Sequence, residues 1–315
     1  MSQTMTKPNR QLHQEVRTLV FRKEEYKFVC SFFVDKNGEE WTTTELDEAN
    51  INQVYNQYRV RHGVPFPSEI TRLRRYYGIS AAMMSDIIGF GTNQWRLYED
   101  GMMPNESNAR SIIAIRNKDT FLDFLDASKN TIGEKIYDKI KERVRTLPEY
   151  VKPSKPTEIS GYVSYSANKI SEAVKYFATE LGGVFVTKMN KLLFYTDFLK
   201  YKREGFGMTG LVYRAIKFGP VPDNYGEVYS RAEGVEMEDF IYDGGMSGQL
   251  LVATGEPDMD VFSDIEKEVL SEVCERFRDA SAGEISEISH KEKGWIECNG
   301  SRQPIPYSYA FDIKE

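Results

Sequence analysis

Hydrophobic and polar positions follow two successive periods along this chain. Residues 14–42 carry closely spaced aromatic and β-branched side chains, densest over 28–34, a pattern that predicts β-structure. Within it, Lys36-Asn37-Gly38 supplies the Asn-Gly pair that tolerates positive φ in a tight hairpin. From Thr44 the period becomes helical. Leu46, Ile51, Val54, Tyr55 and Tyr58 form a buried stripe on a helix capped by Thr44 and ending near Arg61, before Gly63, Pro65 and Pro67.

Short, punctuated helices are predicted next. Ser68, Ser80 and Thr92 are N-cap candidates for helices through Ile70 to Tyr77, Ala81 to Ile88 and Asn93 to Asp100, closed by Gly78, Gly89 and Gly101. Two more are predicted over 107–117 and 119–127, and a charged amphipathic helix over 129–145 with Ile132, Ile136, Ile140 and Val144 spaced four apart. Helices this short are marginal alone, so they must pack as a bundle. The proline-rich stretch 148–156 reads as a semi-rigid linker.

Beyond it, a helix over 167–181 is followed by a more apolar, central one over 187–203. Residues 211–218 read as an extended segment stopped by Gly219-Pro220-Val221-Pro222. A helix over 224–232, a small hairpin of 240–242 and 249–253 around Gly244-Gly245, and helices over 263–278 and 282–290 complete the pattern.

At 315 residues, 40% hydrophobic and 28% charged, the chain has the make-up of a soluble globular protein of two or three domains. No apolar run approaches the roughly 18 residues that span a bilayer, and the polar start MSQTMTKPNRQ lacks a signal peptide's apolar stretch, so a cytoplasmic protein with no membrane partner is expected. Cys30, Cys274 and Cys298 are too few and too scattered for a disulfide framework or a set of zinc ligands. The net charge of -7 is uneven: residues 1–127 carry 16 basic and 17 acidic side chains, 128–156 carry 8 and 4, and 157–315 carry 17 and 27. A near-neutral front, a basic connector and an acidic rear point to different partners at the two ends.

The stretch from Ile70 to Gly101 has the spacing of a helix-turn-helix, with Gly89-Phe90-Gly91 as its turn. In such a motif the first turn of the second helix enters the major groove. Here that turn offers Thr92, Asn93, Gln94 and Arg96. Asn and Gln pair bidentately with adenine and Arg with guanine, while Ser80 and Thr92 are placed for phosphate. Arg72, Arg74 and Arg75 are further phosphate candidates.

ISAAMMSDIIGFGTNQWRLYEDG, residues 79–101, resembles the helix-turn-helix of the Xre/Cro family, and together with 43–78 it is more closely similar to the MqsA (YgiT) antitoxins. That resemblance implies an N-terminal zinc-binding β-rich domain, a connecting helix and operator reading by an Asn and an Arg. Asn93 falls on the Asn. Leu97 occupies the Arg position, leaving Arg96 as a substitute on a different face. The CxxC pairs that the family would place around 24–26 and 42–45 are absent, so no zinc and no other cofactor is expected.

Residues 157–315 contain no phosphate loop, HExxH or Gly-x-Ser-x-Gly motif, and His290 is the only histidine there, so no enzyme and no catalytic residue is expected. KMNKLLFYTDFLKYKREG (188–205), YRAIKFGPVPDNYGEVY (213–229) and ISEISHKEKGWIE (285–297) resemble the SocA-like Panacea domain, whose members are antitoxins that bind diverse toxins directly, with one branch acting as a protease adaptor. The resemblance marks Gly219, Pro220, Val221, Pro222, His290 and Trp295 as its motif. Tyr195, Tyr201, Tyr225 and Trp295 are candidate exposed anchors for a toxin, and His290 and Trp295 are equally suited to packing against the Gly219–Pro222 turn.

Together these readings describe a mainly α multidomain chain. A small β-rich, degenerate zinc-ribbon-like domain with its connecting helix (1–62) precedes an Xre-type helix-turn-helix bundle with a trailing helix (63–147). A linker (148–160) leads to a mostly helical Panacea domain with a small β-hairpin (161–315). The implied function is a type II antitoxin that neutralises a cognate protein toxin through the rear domain and, as a homodimer on double-stranded operator DNA, represses its own operon. A transcriptional regulator with a sensing rear domain and a proteolytic adaptor are the alternatives.

Overall fold

A computed structural model describes residues 11–241, 247–301 and 303–314. The expected β-rich segment forms an antiparallel hairpin of β1 (Leu12–Phe21) and β2 (Glu24–Val34), with short β3 (Glu40–Trp41) on the other edge of β2. The long hairpin turns at Arg22-Lys23, with φ of 49° and 71°, rather than at the Asn-Gly pair. That left-handed geometry suits the twist of the strands, and the ten paired positions of the ladder hold two unfavourable residues in it. Asn37-Gly38 makes the later turn into β3, where Asp35 Oδ1 accepts from the N–H groups of Asn37 (2.8 Å) and Glu39 (2.9 Å).

Helix α1 (Thr44–His62) is capped by Thr43, not Thr44: the Thr43 hydroxyl accepts from Leu46 N–H at 3.3 Å. Val54 and Tyr58 are buried as expected, and so are the polar Asn50, Gln53, Asn56 and Arg59, three residues apart. Two of these complete the sheet. Asn50 Oδ1 accepts from Ser31 N–H (2.9 Å) while its amide donates to Ser31 C=O (2.9 Å), and Gln53 does the same to Val29 at 3.0 and 2.9 Å. Side-chain amides thus stand in for a strand along the open stretch of β2, because a buried peptide group needs a partner.

Helices α2 (Pro67–Tyr77), α3 (Ala81–Ile88), α4 (Gln94–Glu99), α5 (Glu106–Ala114), α6 (Lys118–Ala127), α7 (Lys129–Ile132) and α8 (Glu134–Thr146) surround a core of Ile70, Leu73, Tyr77, Met84, Trp95 and Phe121 among others. Ser80 caps α3 as expected, accepting from Met83 N–H, and Gly89 closes it with φ 75°. Three expectations are corrected. Ser68 is not a cap, because Phe66 precedes Pro67 at the first helical position and the Glu69 carboxylate accepts from Phe66 N–H at 3.0 Å. Thr92 is not a cap either: Asn93 holds that position with φ 62°, its side chain making no capping hydrogen bond. The helix expected over 129–145 breaks at Gly133. A strict four-residue repeat drifts about 40° per step around a helix, so one face cannot bury it all, and Tyr137 is buried while Ile136 is exposed.

The rear elements are α9 (Ala167–Glu180), β4 (Val184–Phe185), α10 (Val186–Glu204), β5 (Tyr213–Ile216), β6 (Gly219–Pro222), α11 (Tyr225–Ser230), β7 (Val235–Ile241), β8 (Ser247–Ala253), α12 (Asp264–Phe277), α13 (Ala282–Ser289) and α14 (Lys293–Cys298). β4, β8 and β7 form an antiparallel sheet in that order. The expected Gly244-Gly245 turn between β7 and β8 lies outside the described residues. Helix α10 is buried almost all round and is the central element, as its apolar pattern predicts. Gly219–Pro222 is not a stop but a fully buried strand, paired with β5 from Tyr213↔Pro222 to Ile216↔Gly219. A two-stranded ribbon tolerates its prolines because neither needs to donate to a further strand.

The chain clusters into two compact units. Residues through Val54 group with those from Pro156 onward, and Tyr55–Lys155 form the other unit, the division falling within α1. The sequence-based boundaries at 62, 147 and 160 follow punctuation along the chain, whereas this grouping follows contacts. No helix among the described residues is long and apolar enough to cross a membrane.

Candidate functional site

In the unit of residues 55–155, the side chains of α4 divide cleanly between core and solvent. Trp95 and Tyr98 are buried, with Trp95 N–H bonded to Ser85 Oγ at 3.0 Å and its indole N–H to Glu99 Oε1 at 2.9 Å. Phe90 of the turn lies 6.1 Å from the Trp95 ring and 5.9 Å from that of Tyr98. This anchoring leaves Asn93, Arg96 and Leu97 exposed and Gln94 half-buried beside them, with Ser80 exposed at the start of α3. Arg96 and Asp100 form a loose, exposed pair at 3.7 Å. Arg74 is not free for phosphate. Its guanidinium grips both oxygens of Glu99 at 2.6 and 3.0 Å and also donates to Ile79 C=O, while Arg72 and Arg75 remain exposed.

In the other unit, the residues of the rear motif come together as a packed seat. His290 stacks on Trp295 with centroids 4.2 Å apart, and the Trp295 indole donates to Ile216 C=O at 2.8 Å, tying the start of α14 to β5. Gly219 has φ +100°. A Cβ there would stand 2.6 Å from Ser289 Oγ and 2.8 Å from Lys191 Cε, so only glycine lets β6 approach α10 and α13. Lys191 is fully buried, and its ammonium has no hydrogen-bond partner among the described residues; burial lowers its pKa to about 8. Burial, and then Lys191, also lower the pKa of His290, whose Nε2 is likewise unpartnered, which favours its neutral form.

Of the expected aromatic anchors, Tyr195 and Tyr201 are corrected. They are 2% and 3% exposed because α10 is central: the Tyr195 hydroxyl donates to Glu292 Oε1 at 3.0 Å, and Tyr201 packs near Tyr162 and Tyr307. Trp295 is half-buried and Tyr225 is 38% exposed, which leaves Tyr225 as the ring best placed for a partner. Pro220, Val221 and Pro222 are buried in β6. Lys191 is a functional-site candidate that the sequence does not mark, because Lys188, Asn190 and Asp197 make it one polar residue among several on the same helix.

One comparison covers this seat. Residues 189–296 match the family Antitoxin SocA-like, Panacea domain. The matched Panacea segment runs from α10 into α14 and includes Lys191, Gly219, Ser289, His290 and Trp295. Searches among curated proteins and among solved structures gave no match.

Proposed function

We propose that this protein is the antitoxin of a type II toxin–antitoxin pair. The observation that carries the reading is the match of residues 189–296 to an antitoxin domain family. Its rear part binds and silences a cognate protein toxin directly, and α3 and α4 act as a helix-turn-helix through which a homodimer represses its own operon. Asn93, Gln94 and Arg96, presented over a buried Trp95, support DNA reading, as does the charge of residues 55–155, with 17 basic and 12 acidic side chains. The protein works by binding, with no cofactor and no catalysis of its own.

Co-expression tests this. Each small reading frame found beside the protein's gene is expressed with and without it: the full chain is expected to restore growth to cells poisoned by one such product, and to co-purify with it. Continued growth arrest with both proteins present would sink the antitoxin reading. A gel shift on the native promoter tests repression separately: no retardation would remove the DNA arm and leave neutralisation standing.

A further inference from the structure

A groove of about 900 Å³ opens within the unit that joins residues 12–54 to 156–315. The β1–β2 hairpin and the first turns of α1 supply one side; the end of α10 and the start of α12 supply the other. Its apolar floor includes Leu12, Phe33, Leu46, Leu199, Phe206 and Ile265. The seam is specific. Asn52 donates to Glu204 C=O at 3.0 Å, and Gly205, φ +74°, ends α10 where a Cβ would meet Asn52 Cβ at 3.0 Å.

The charge around this floor is one-sided. Five glutamates line the groove against Lys202 and Arg203, and Arg203 is already paired with Glu272, as Glu204 is with Lys200. The side chains of Glu48 on α1 and Glu268 on α12 are exposed and make no hydrogen bond or ion pair among the described residues. The whole unit carries 24 basic and 36 acidic side chains, a field that draws in a cationic partner.

We infer that this groove is where the toxin docks, taking a basic amphipathic segment whose apolar side chains rest on the floor while its lysines or arginines meet Glu48 and Glu268. The partner's identity as a toxin rests on the function proposed above; the chemistry of the segment comes from the groove alone. Half the site is built from the hairpin and α1, so neutralisation needs both ends of the chain.

The probe is a labelled helical peptide of about 18 residues, five turns, with leucines on one face and lysines on the other; its counterpart has glutamates for lysines. Full-length protein is titrated as wild type, as Glu48→Lys/Glu268→Lys, and as Glu236→Lys/Glu238→Lys, which makes the same charge change on exposed β7. The leucine–lysine peptide is expected to bind wild type and the β7 variant within about twofold and the groove variant at least about tenfold more weakly, with no binding of the glutamate peptide. Unchanged binding by the groove variant, or equal loss in both variants, overturns the site. The same three proteins are then co-expressed with the toxin. Rescue lost in the groove variant alone supports the inference, and full rescue by that variant overturns it while the antitoxin reading survives. Failure of all three to rescue, with peptide binding retained, removes the antitoxin reading and leaves the groove as a site for basic segments.

Discussion

Lys191 stands inside α10 with an unpaired ammonium, its pKa lowered to about 8 from an ordinary 10.5. The unfolded chain holds that proton more tightly than the folded one, so the charge opposes folding fully below about pH 8, and the penalty fades as pH rises toward 10.5. Lys191→Met keeps the length and removes the charge; it is expected to raise unfolding free energy by ~1–3 kcal/mol at pH 7, with a smaller gain near pH 9.5. Urea midpoints at both pH values check this, and an equal gain at both would show that titration is not the cause. The exposed Asn93 and Arg96 face the opposite situation, with no packing role to lose. Asn93→Ala and Arg96→Ala are each expected to cost ~1–3 kcal/mol of operator binding and to relax base preference, with melting unchanged for Arg96→Ala and slightly lowered for Asn93→Ala, because alanine tolerates φ 62° less well than asparagine; wild-type titration curves on the native promoter would refute the assignment. Residue types at these positions were legible in sequence. Burial was not, because Tyr195 and Tyr201 lie on a helix that buries polar residues such as Asn190, Lys191 and Asp197 along with its apolar ones, so periodicity cannot say which side faces solvent.

Among the elements, α3 was readable to the residue because Ser80 and Gly89 punctuate both of its ends. β1 and β2 were readable as β-structure but not as this hairpin, since Arg22-Lys23 carries no local turn signal and takes its conformation from the ladder on either side. The amide clamp of α1 on β2 shows the same limit more strongly. Asn50 and Gln53 look like the polar face of a surface helix, yet each bonds both the N–H and the C=O of one β2 residue. Asn50→Ala or Gln53→Ala would leave those backbone groups unpaired and is expected to cost ~1–3 kcal/mol each. Hydrogen exchange at the Ser31 and Val29 amides reads the effect directly: faster exchange at Ser31 for the first variant and at Val29 for the second, and unaltered rates would disprove the clamp's contribution.

At the scale of the molecule, the grouping of segments redraws the charge map. The basic connector joins the front bundle as α7 and α8, while residues 1–54, with 7 basic and 9 acidic side chains, group with the acidic rear, so a near-neutral front becomes a basic unit and the rear becomes more acidic than its own sequence suggests. A fragment of residues 156–315 loses the Asn52–Glu204 bond and the hairpin beside Leu199, Phe206 and Ile265. It is therefore expected to melt several degrees below the full chain, as a loss of about 1–2 kcal/mol would give; calorimetry finding equal transitions would count against it. The linear order of residues determined the helical periods, the cap at Ser80, and the Panacea-like motif, because these depend on neighbours a few positions apart. Only the tertiary structure decided that residues 12–54 pack with 156–315, that Gly219 and Lys191 share one seat, and that Glu48 and Glu268 line one groove. Those contacts join residues separated by up to a few hundred positions, where local pattern carries no information and only the burial of apolar surface and the pairing of buried polar groups select the arrangement.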